Sequence, residues 1–360
     1  MNFIINGNRM YLIVLITFII SALLIPIVKK IAIHINAMDE PNERKVHIIP
    51  VPRLGGLAIF LAFLSGYMLF AQELKEMLGI LIGGMILILV GIFDDIKPVP
   101  AKYKLIGQVV AAGIAVYYGG ILLKEISAFG LYMNFGSFSP VITIIFIVAI
   151  INAINLIDGI DGLAGGISSI YFATIAVIAV LMNKYTGLDM MICLIMLGST
   201  MGFLVHNFCP AKIFMGDTGS MFLGYMISIV ALLGFKNVTL TSFIVPILIL
   251  AIPIIDTILA IFRRLLSGQP IGRPDKEHIH HQLLKMKFSM RKTVFIIYGI
   301  NIIFSAISIF YVVGDALQAI ILYAIVMILL LIFVLKTNVL FNRKNKVHQP
   351  PENYIDNNQV

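Results

Sequence analysis

The sequence predicts an all-α, polytopic integral membrane protein of about eleven transmembrane helices, its N-terminus outside and its C-terminus in the cytoplasm. Three observations predict this. Of 360 residues, 60% are hydrophobic and only 12% are charged, and mean hydropathy is +1.01, more apolar surface than a soluble core could hide. The apolar residues fall into separate runs, and a helix of about 20 such residues spans roughly 30 Å of hydrocarbon. The lysines and arginines sort onto alternate sides of those runs.

In chain order the runs are Tyr11–Val28, Leu54–Phe70, Met77–Phe93, Leu105–Leu123, Val141–Ile157, Ala164–Met182 and Met190–Val205, then Ser220–Phe235, Phe243–Phe262, Thr293–Val313 and Ala316–Leu335. The first follows only Arg9 and lacks a small-residue cleavage pattern, so it reads as a retained span. The run at Ser220 is short. That at Phe243 contains Pro246 and Pro253, and a broken helix is expected at Pro253. Residues 1–336 read as one membrane domain carrying the catalysis, and 337–360 as a polar cytoplasmic tail. Cys193 and Cys209 have no metal-ligand spacing and read as buried free thiols.

One side of the membrane collects Lys29, Lys30, Arg44, Lys45, Arg53, Lys97, Lys102, Lys104 and Lys212, and every Lys and Arg from Arg263 to the tail. The other keeps Arg9, Lys75, Lys124, Lys184 and Lys236. Positive-inside bias makes the first side cytoplasmic, so the formal charge of +8 lies on one surface. Topology control and attraction to anionic lipid explain much of it, and no nucleic-acid partner is expected. They do not explain why Asp94, Asp95, Asp158, Asp161, Asp217, Asp275 and Glu277 share that surface. The outward loop near 121–140 carries only Lys124 and Glu125, which places the chemistry inside.

Five groups of residues carry chemical potential. Asp94 and Asp95 end an apolar run, with Lys97, Lys102, Lys104 and Gln108 following; paired carboxylates there need a cation, and magnesium with phosphate ligands suits their hard oxygens. Asn152, Asn155 and Asp158 recur every three residues and form a helical stripe that rises to the membrane surface, with Asp161 beyond it between glycines. Asp217 opens a span in a Gly-Asp-Thr-Gly-Ser stretch, where it serves as an N-cap or as a metal-binding carboxylate beside helix-end amides. His278, His280 and His281, three of the seven histidines, fall within four positions; lacking cysteines or an i,i+4 His pair, they suit phosphate or sugar better than zinc. Lys45, His47 and Arg53 precede the second span and also fit a basic membrane anchor. Asp256, inside an apolar run, is an intramembrane carboxylate that caps a half-helix, pairs with Arg263 or Arg264, or has a function of its own.

In this order, from Met38 to Leu284, these blocks resemble the polyprenyl-phosphate N-acetylhexosamine-1-phosphate transferases. The RKVHIIPVPRLGG and DKEHIHHQLL stretches resemble the WecA/TagO branch more than the MraY branch, which uses UDP-MurNAc-pentapeptide. The resemblance implies transfer of GlcNAc-1-phosphate from UDP-GlcNAc to undecaprenyl phosphate, releasing UMP and starting a teichoic acid or O-antigen type of envelope glycan. It implies Mg2+, or Mn2+ in its place, on Asp217 and Asp94, with Asp95 and Lys104 completing the catalytic set. Asn152, Asn155, Asp158 and Asp161 would line the nucleotide and metal site, Asp161 reading uracil, and His278, His280 and His281 would meet the donor's phosphates and sugar. Lys45 and Arg53 align more loosely as substrate contacts. A homodimer is compatible with the sequence and not read from it.

Donor and acceptor each bring about two negative charges, so neutralisation outweighs base strength. Direct in-line attack by the lipid phosphate is therefore expected, with Asp94 accepting a residual proton or placing the acceptor; a covalent phosphosugar on an aspartate is the rival. An ion-coupled transporter would put its carboxylates near the bilayer midplane, where only Asp256 falls. A scaffold would explain the hydropathy but not the polar stripe.

Overall fold

The structure, a computed structural model, describes residues 4–41, 49–71, 75–128, 131–183, 187–237, 244–269 and 277–336. The helices are α1 (Met10–His34), α2 (Gly55–Phe70), α3 (Lys75–Ile96), α4 (Ala101–Tyr117), α5 (Ser139–Ile157), α6 (Leu163–Leu181) and α7 (Leu188–Asn207). They continue with α8 (Gly216–Asn237), α9 (Ile244–Ile249), α10 (Ala251–Leu266), α11 (Ile279–Lys285), α12 (Met290–Val313) and α13 (Ala316–Lys336). Eight of these, α1, α3, α5 to α8, α12 and α13, are long and apolar enough to cross a membrane. The protein is a multi-pass, predominantly helical membrane protein.

The other expected runs are shorter helices. Leu54–Phe70 is the 16-residue α2, and Leu105–Leu123 is the 17-residue α4, which stops at Tyr117. Phe243–Phe262 is divided, but at Leu250 rather than Pro253. A proline ring collides with the carbonyl four residues earlier, so Pro253 acts at Ile249, where α9 ends, and itself sits harmlessly in the first turn of α10. Three small antiparallel ribbons qualify the all-helical expectation: β1–β2 (Ile4–Ile5, Asn8–Arg9), β3–β4 (Met38–Asp39, Val51–Pro52) and β5–β6 (Glu125–Ala128, Leu131–Asn134). The last occupies the predicted outward loop and pairs Glu125 with Asn134. The tail after residue 336 and Lys45 lie outside the described residues.

At the centre stands α8, packed on α2, α3 and α5. Its span from Gly216 to Gly234 is 94% buried and has the lowest hydropathy of the eight, 1.4, whereas α13, 11% buried, reaches 2.8. Lipid contact demands apolar side chains, while contact with other helices admits Ser, Gly and Tyr that pair locally. Tyr225 accordingly donates to the Ile80 carbonyl at 3.2 Å, and Ser228 to the Tyr225 carbonyl at 2.6 Å.

Glycines set the closest approaches. A Cβ on Gly198 or Gly202 of α7 would lie 2.0 Å from Thr17 Oγ1 or 2.4 Å from the Phe18 carbonyl oxygen of α1. A Cβ on Gly56 would fall 2.1 Å from the Gly219 backbone, and one on Gly91 2.3 Å from Thr218 Cα. The first turn of α8 is thus wedged between the start of α2 and the end of α3.

Candidate active site

That wedge gathers charge. Backbone bonds from Phe214 N to the Pro52 carbonyl (2.8 Å) and from Gly55 N to the Phe214 carbonyl (2.9 Å) stitch the lead-in of α2 to that of α8. Arg53 is thereby set against Asp217, and the end of α3 brings in Asp94 and Asp95. Oxygens of Asp94, Asp95 and Asp217 lie within 4.8 Å of one another. Among the described residues, two cations offset them. Lys104 Nζ, from the first turn of α4, sits 2.7 Å from Asp217 Oδ2 and 3.3 Å from Asp94 Oδ1. Arg53 reaches Asp39 and Asp95 at 3.3 Å and Asp217 at 3.7 Å. Burial works against the guanidinium charge, but Asp95, Asp39 and Asp217 outweigh it and raise the Arg53 pKa.

The neighbouring aspartates do different work. Asp95 accepts from the Asp217 amide at 2.9 Å and from the Thr218 amide and hydroxyl at 3.1 and 2.7 Å. It caps α8 from across the bundle, satisfying amides that have no partner within the helix. Asp217 is therefore not the cap. Asp94 accepts from the Val99 amide at 2.8 Å and otherwise faces Lys104. Asp217 and Asp94 remain the carboxylates least engaged by backbone donors, and their hard oxygens suit a magnesium ion completed by substrate phosphates.

Beside this cluster lies a cavity of about 730 Å³, and Asp217 belongs to both. Asn155, Asp158, Asp161 and His281 line it, together with Arg53. Asn155 Nδ2 donates to Ser220 Oγ at 2.8 Å. Asp161 Oδ2 accepts from the Ala211 amide at 2.8 Å, fixing the loop between α7 and α8. Burial, reinforced by the charge of Asp217 and opposed by Arg53, pushes the Asp158 carboxyl up to about 7.

Other expected contacts stand elsewhere. Asn152 is not on the cavity wall; it donates to Gln108 Oε1 at 2.7 Å and to the Val148 carbonyl at 2.8 Å, tying α5 to α4. The three histidines stay together, ring centroids 4.2–6.3 Å apart, but face different partners. His278 pairs with Asp256 at 2.9 Å. His280 is 1% exposed, and neither ring nitrogen has a hydrogen-bond partner. Burial, then His281 and His278, hold its pKa well below the usual histidine value, so the ring is neutral. Only His281 reaches the cavity.

Asp39, Asn207 and Arg291 were not singled out from sequence, yet all line the cavity. Asn207, 4% exposed, accepts from the Gly162 amide at 3.0 Å and donates to the Ile213 carbonyl at 2.9 Å, joining two cavity loops. Its only sequence signal is an amide just before Cys209-Pro210. Arg291 donates through Nε to the Cys209 carbonyl at 3.0 Å, and in the sequence it reads merely as a topology-setting charge.

A clustered carboxylate triad crossed by two cations, at the end of a helix bundle and beside a cavity large enough for a nucleotide, defines a membrane phosphotransferase. The profile of glycosyl transferase family 4 matches residues 77–235. The chain is 43% identical to a "Probable undecaprenyl-phosphate N-acetylglucosaminyl 1-phosphate transferase" of Bacillus subtilis, covering 81% of this chain and 83% of the relative. It is 33% identical to a "Decaprenyl-phosphate N-acetylglucosaminephosphotransferase" of Mycobacterium tuberculosis over 83% and 82% of the two chains. It is also 28% identical to an "Undecaprenyl-phosphate alpha-N-acetylglucosaminyl 1-phosphate transferase" of Yersinia pestis over 88% of each. The chain belongs to glycosyl transferase family 4, as one of its membrane glycosyl-1-phosphate transferases.

Proposed function

We propose that the protein transfers GlcNAc-1-phosphate from UDP-GlcNAc to undecaprenyl phosphate at the cytoplasmic face of a bacterial membrane, with magnesium held by Asp217 and Asp94. The observation that carries this reading is Lys104 lying between Asp94 and Asp217, with Asp217 also on the cavity wall. An ammonium and two carboxylates so placed suit a pair of phosphates that must meet against their own repulsion. The relatives' names support the donor sugar and the polyprenyl acceptor. The Lys and Arg bias supports the cytoplasmic orientation.

In this reading the nucleotide occupies the cavity against Asn155, Asp158 and Asp161, and His281 and Arg53 meet the diphosphate. The acceptor reaches Lys104 from α4, whose Tyr103, Ile106 and Val110 are exposed where lipid would lie. Magnesium, when bound, supplies charge to the phosphate oxygens that no side chain here can match. An acceptor phosphate oxygen attacks the sugar-bearing phosphorus. A new P–O bond forms, the bond to the bridging oxygen breaks, and UMP leaves with that electron pair. An alkyl phosphate with a second pKa of about 6 is mostly dianionic at pH 7, so Asp94 mainly places the acceptor and takes up the residual proton. The engagement of Asp95 in capping α8 makes it a poor covalent nucleophile.

The test incubates purified protein with undecaprenyl phosphate, magnesium and radiolabelled UDP-GlcNAc, beside UDP-GalNAc and UDP-MurNAc-pentapeptide. Labelled lipid from UDP-GlcNAc is expected; none from any donor rejects the proposal. UMP–UDP-GlcNAc exchange without acceptor would reject direct attack in favour of a covalent intermediate.

A further inference from the structure

Asp256 lies inside α10, 2% exposed, in a helix whose other charged groups, Arg263 and Arg264, lie in its last turn. Both its oxygens meet one target. Oδ2 accepts from His278 Nδ1 at 2.9 Å, and Oδ1 accepts from the Ile279 amide at 3.0 Å. Ile279 is the first residue of α11, and the His278 side chain at the N-cap position makes no capping bond of its own. The cap comes instead from another helix. A seven-residue helix cannot hold its shape unaided.

A second support for α11 is a glycine. His280 packs so closely on Gly159 that a Cβ there would lie 2.3 Å from its Nε2. Gly159 belongs to the turn that carries Asp158 and Asp161 to the cavity wall. The helix is thus clamped at its N-terminus by Asp256 and seated through His280 on the nucleotide side of the cavity. Between these supports the next residue, His281, joins the cavity wall, its ring centroid 4.2 Å from that of His280.

We infer that Asp256 is a positioning residue for the donor: by capping α11 and holding His278, it fixes the seat from which His281 faces the cavity. A carboxylate only accepts, so His278 Nδ1 carries a proton, which fixes the ring's orientation as well as its place. A buried carboxylate engaged this way needs no transported ion to explain it. The inference rests on the transfer reading above.

The experiment uses the full chain in lipid nanodiscs, as wild type, Asp256→Asn, Asp256→Ala, His278→Ala and the double alanine variant. KM is measured separately for UDP-GlcNAc and undecaprenyl phosphate, and amide exchange is followed across α11. For Asp256→Ala we expect donor KM to rise about tenfold, the size of one lost charged hydrogen bond. Acceptor KM stays within about twofold, and α11 amides exchange faster by about the same tenfold factor. The double variant is no worse than Asp256→Ala alone, because the two residues act as one device. Asp256→Asn keeps the acceptor for Ile279 but cannot accept at Oδ2, and falls between; it also serves if the alanine variant does not fold. Unchanged donor KM, or both KM values rising together with a lower Tm, overturns the inference. If wild type uses another donor, the transfer reading fails, while unchanged α11 exchange in Asp256→Ala would by itself overturn the clamp.

Discussion

At the scale of single residues, adjacent aspartates with the same chemistry have opposite duties. Asp94→Asn keeps the acceptor for the Val99 amide and removes one charge beside Asp217. Thermal stability should hold, while kcat falls by about 100-fold or more, the usual cost of losing a charged group aimed at a reacting phosphate. Asp95→Asn offers one oxygen where two serve the Asp217 and Thr218 donors, and it weakens the partnership with Arg53. Its Tm should drop, by an amount equivalent to about 1–3 kcal/mol. Calorimetry and turnover on the same two samples check the contrast, and equal Tm losses would contradict it. Asp158 gives a pH signature. Its carboxyl moves from 3.8 to about 7 on folding, so its contribution is fully present below pH 3.8 and is lost as pH rises through 7. Asp158→Asn removes that loss. With a chelator present, the variant's Tm advantage over wild type should be larger at pH 8 than at pH 4.5; an equal advantage at both would refute the assignment.

At the scale of elements, the glycine wedge around the start of α8 is what assembles the site. Gly56→Ala places a methyl against the Gly219 backbone, which cannot move aside, and should separate α2 from α8 and Arg53 from Asp217. Gly113→Ala on α4 meets nothing within 4 Å and should stabilise by about 0.5–1 kcal/mol. Turnover assays and melts of the pair would show whether close packing or helix propensity governs these positions. The elements themselves were largely legible. Each predicted apolar run is a helix or a divided helix, because hydropathy and length are properties a bilayer reads directly. The approach of Asp94, Asp95 and Asp217 was also foreseeable, from carboxylates costly to hold apart from a cation. What escaped was long-range. Nothing local marks Asp95, rather than Asp217, as the cap of α8, since donor and acceptor lie 122 residues apart. Asn207 and Asp39 escaped because their partners are supplied by other loops. Within the polar stripe the structure places Asn155 and Asp158 on the cavity wall, while the Asn152 amide donates to Gln108 and Val148.

At the scale of the whole molecule, the charge bias fixes an expected sidedness that cysteine labelling reads directly. The chain has two cysteines, both buried, and burial pushes the Cys209 thiol up to about 11, so neither should react with a membrane-impermeant maleimide. Tyr132→Cys on the exposed hairpin should be labelled on intact cells, and Lys102→Cys only after permeabilisation; the reverse pattern would invert the molecule. The central place of α8 has a consequence for how the protein is made. A helix of hydropathy 1.4 is the weakest of the eight at partitioning into lipid by itself, and it leaves the ribosome after α2, α3 and α5, the helices that surround it. Chain order therefore lets the newborn segment find a protein-lined berth already waiting in the bilayer, and the carboxylate cluster is completed at that moment, before His281 and Arg291 add the rest of the cavity wall.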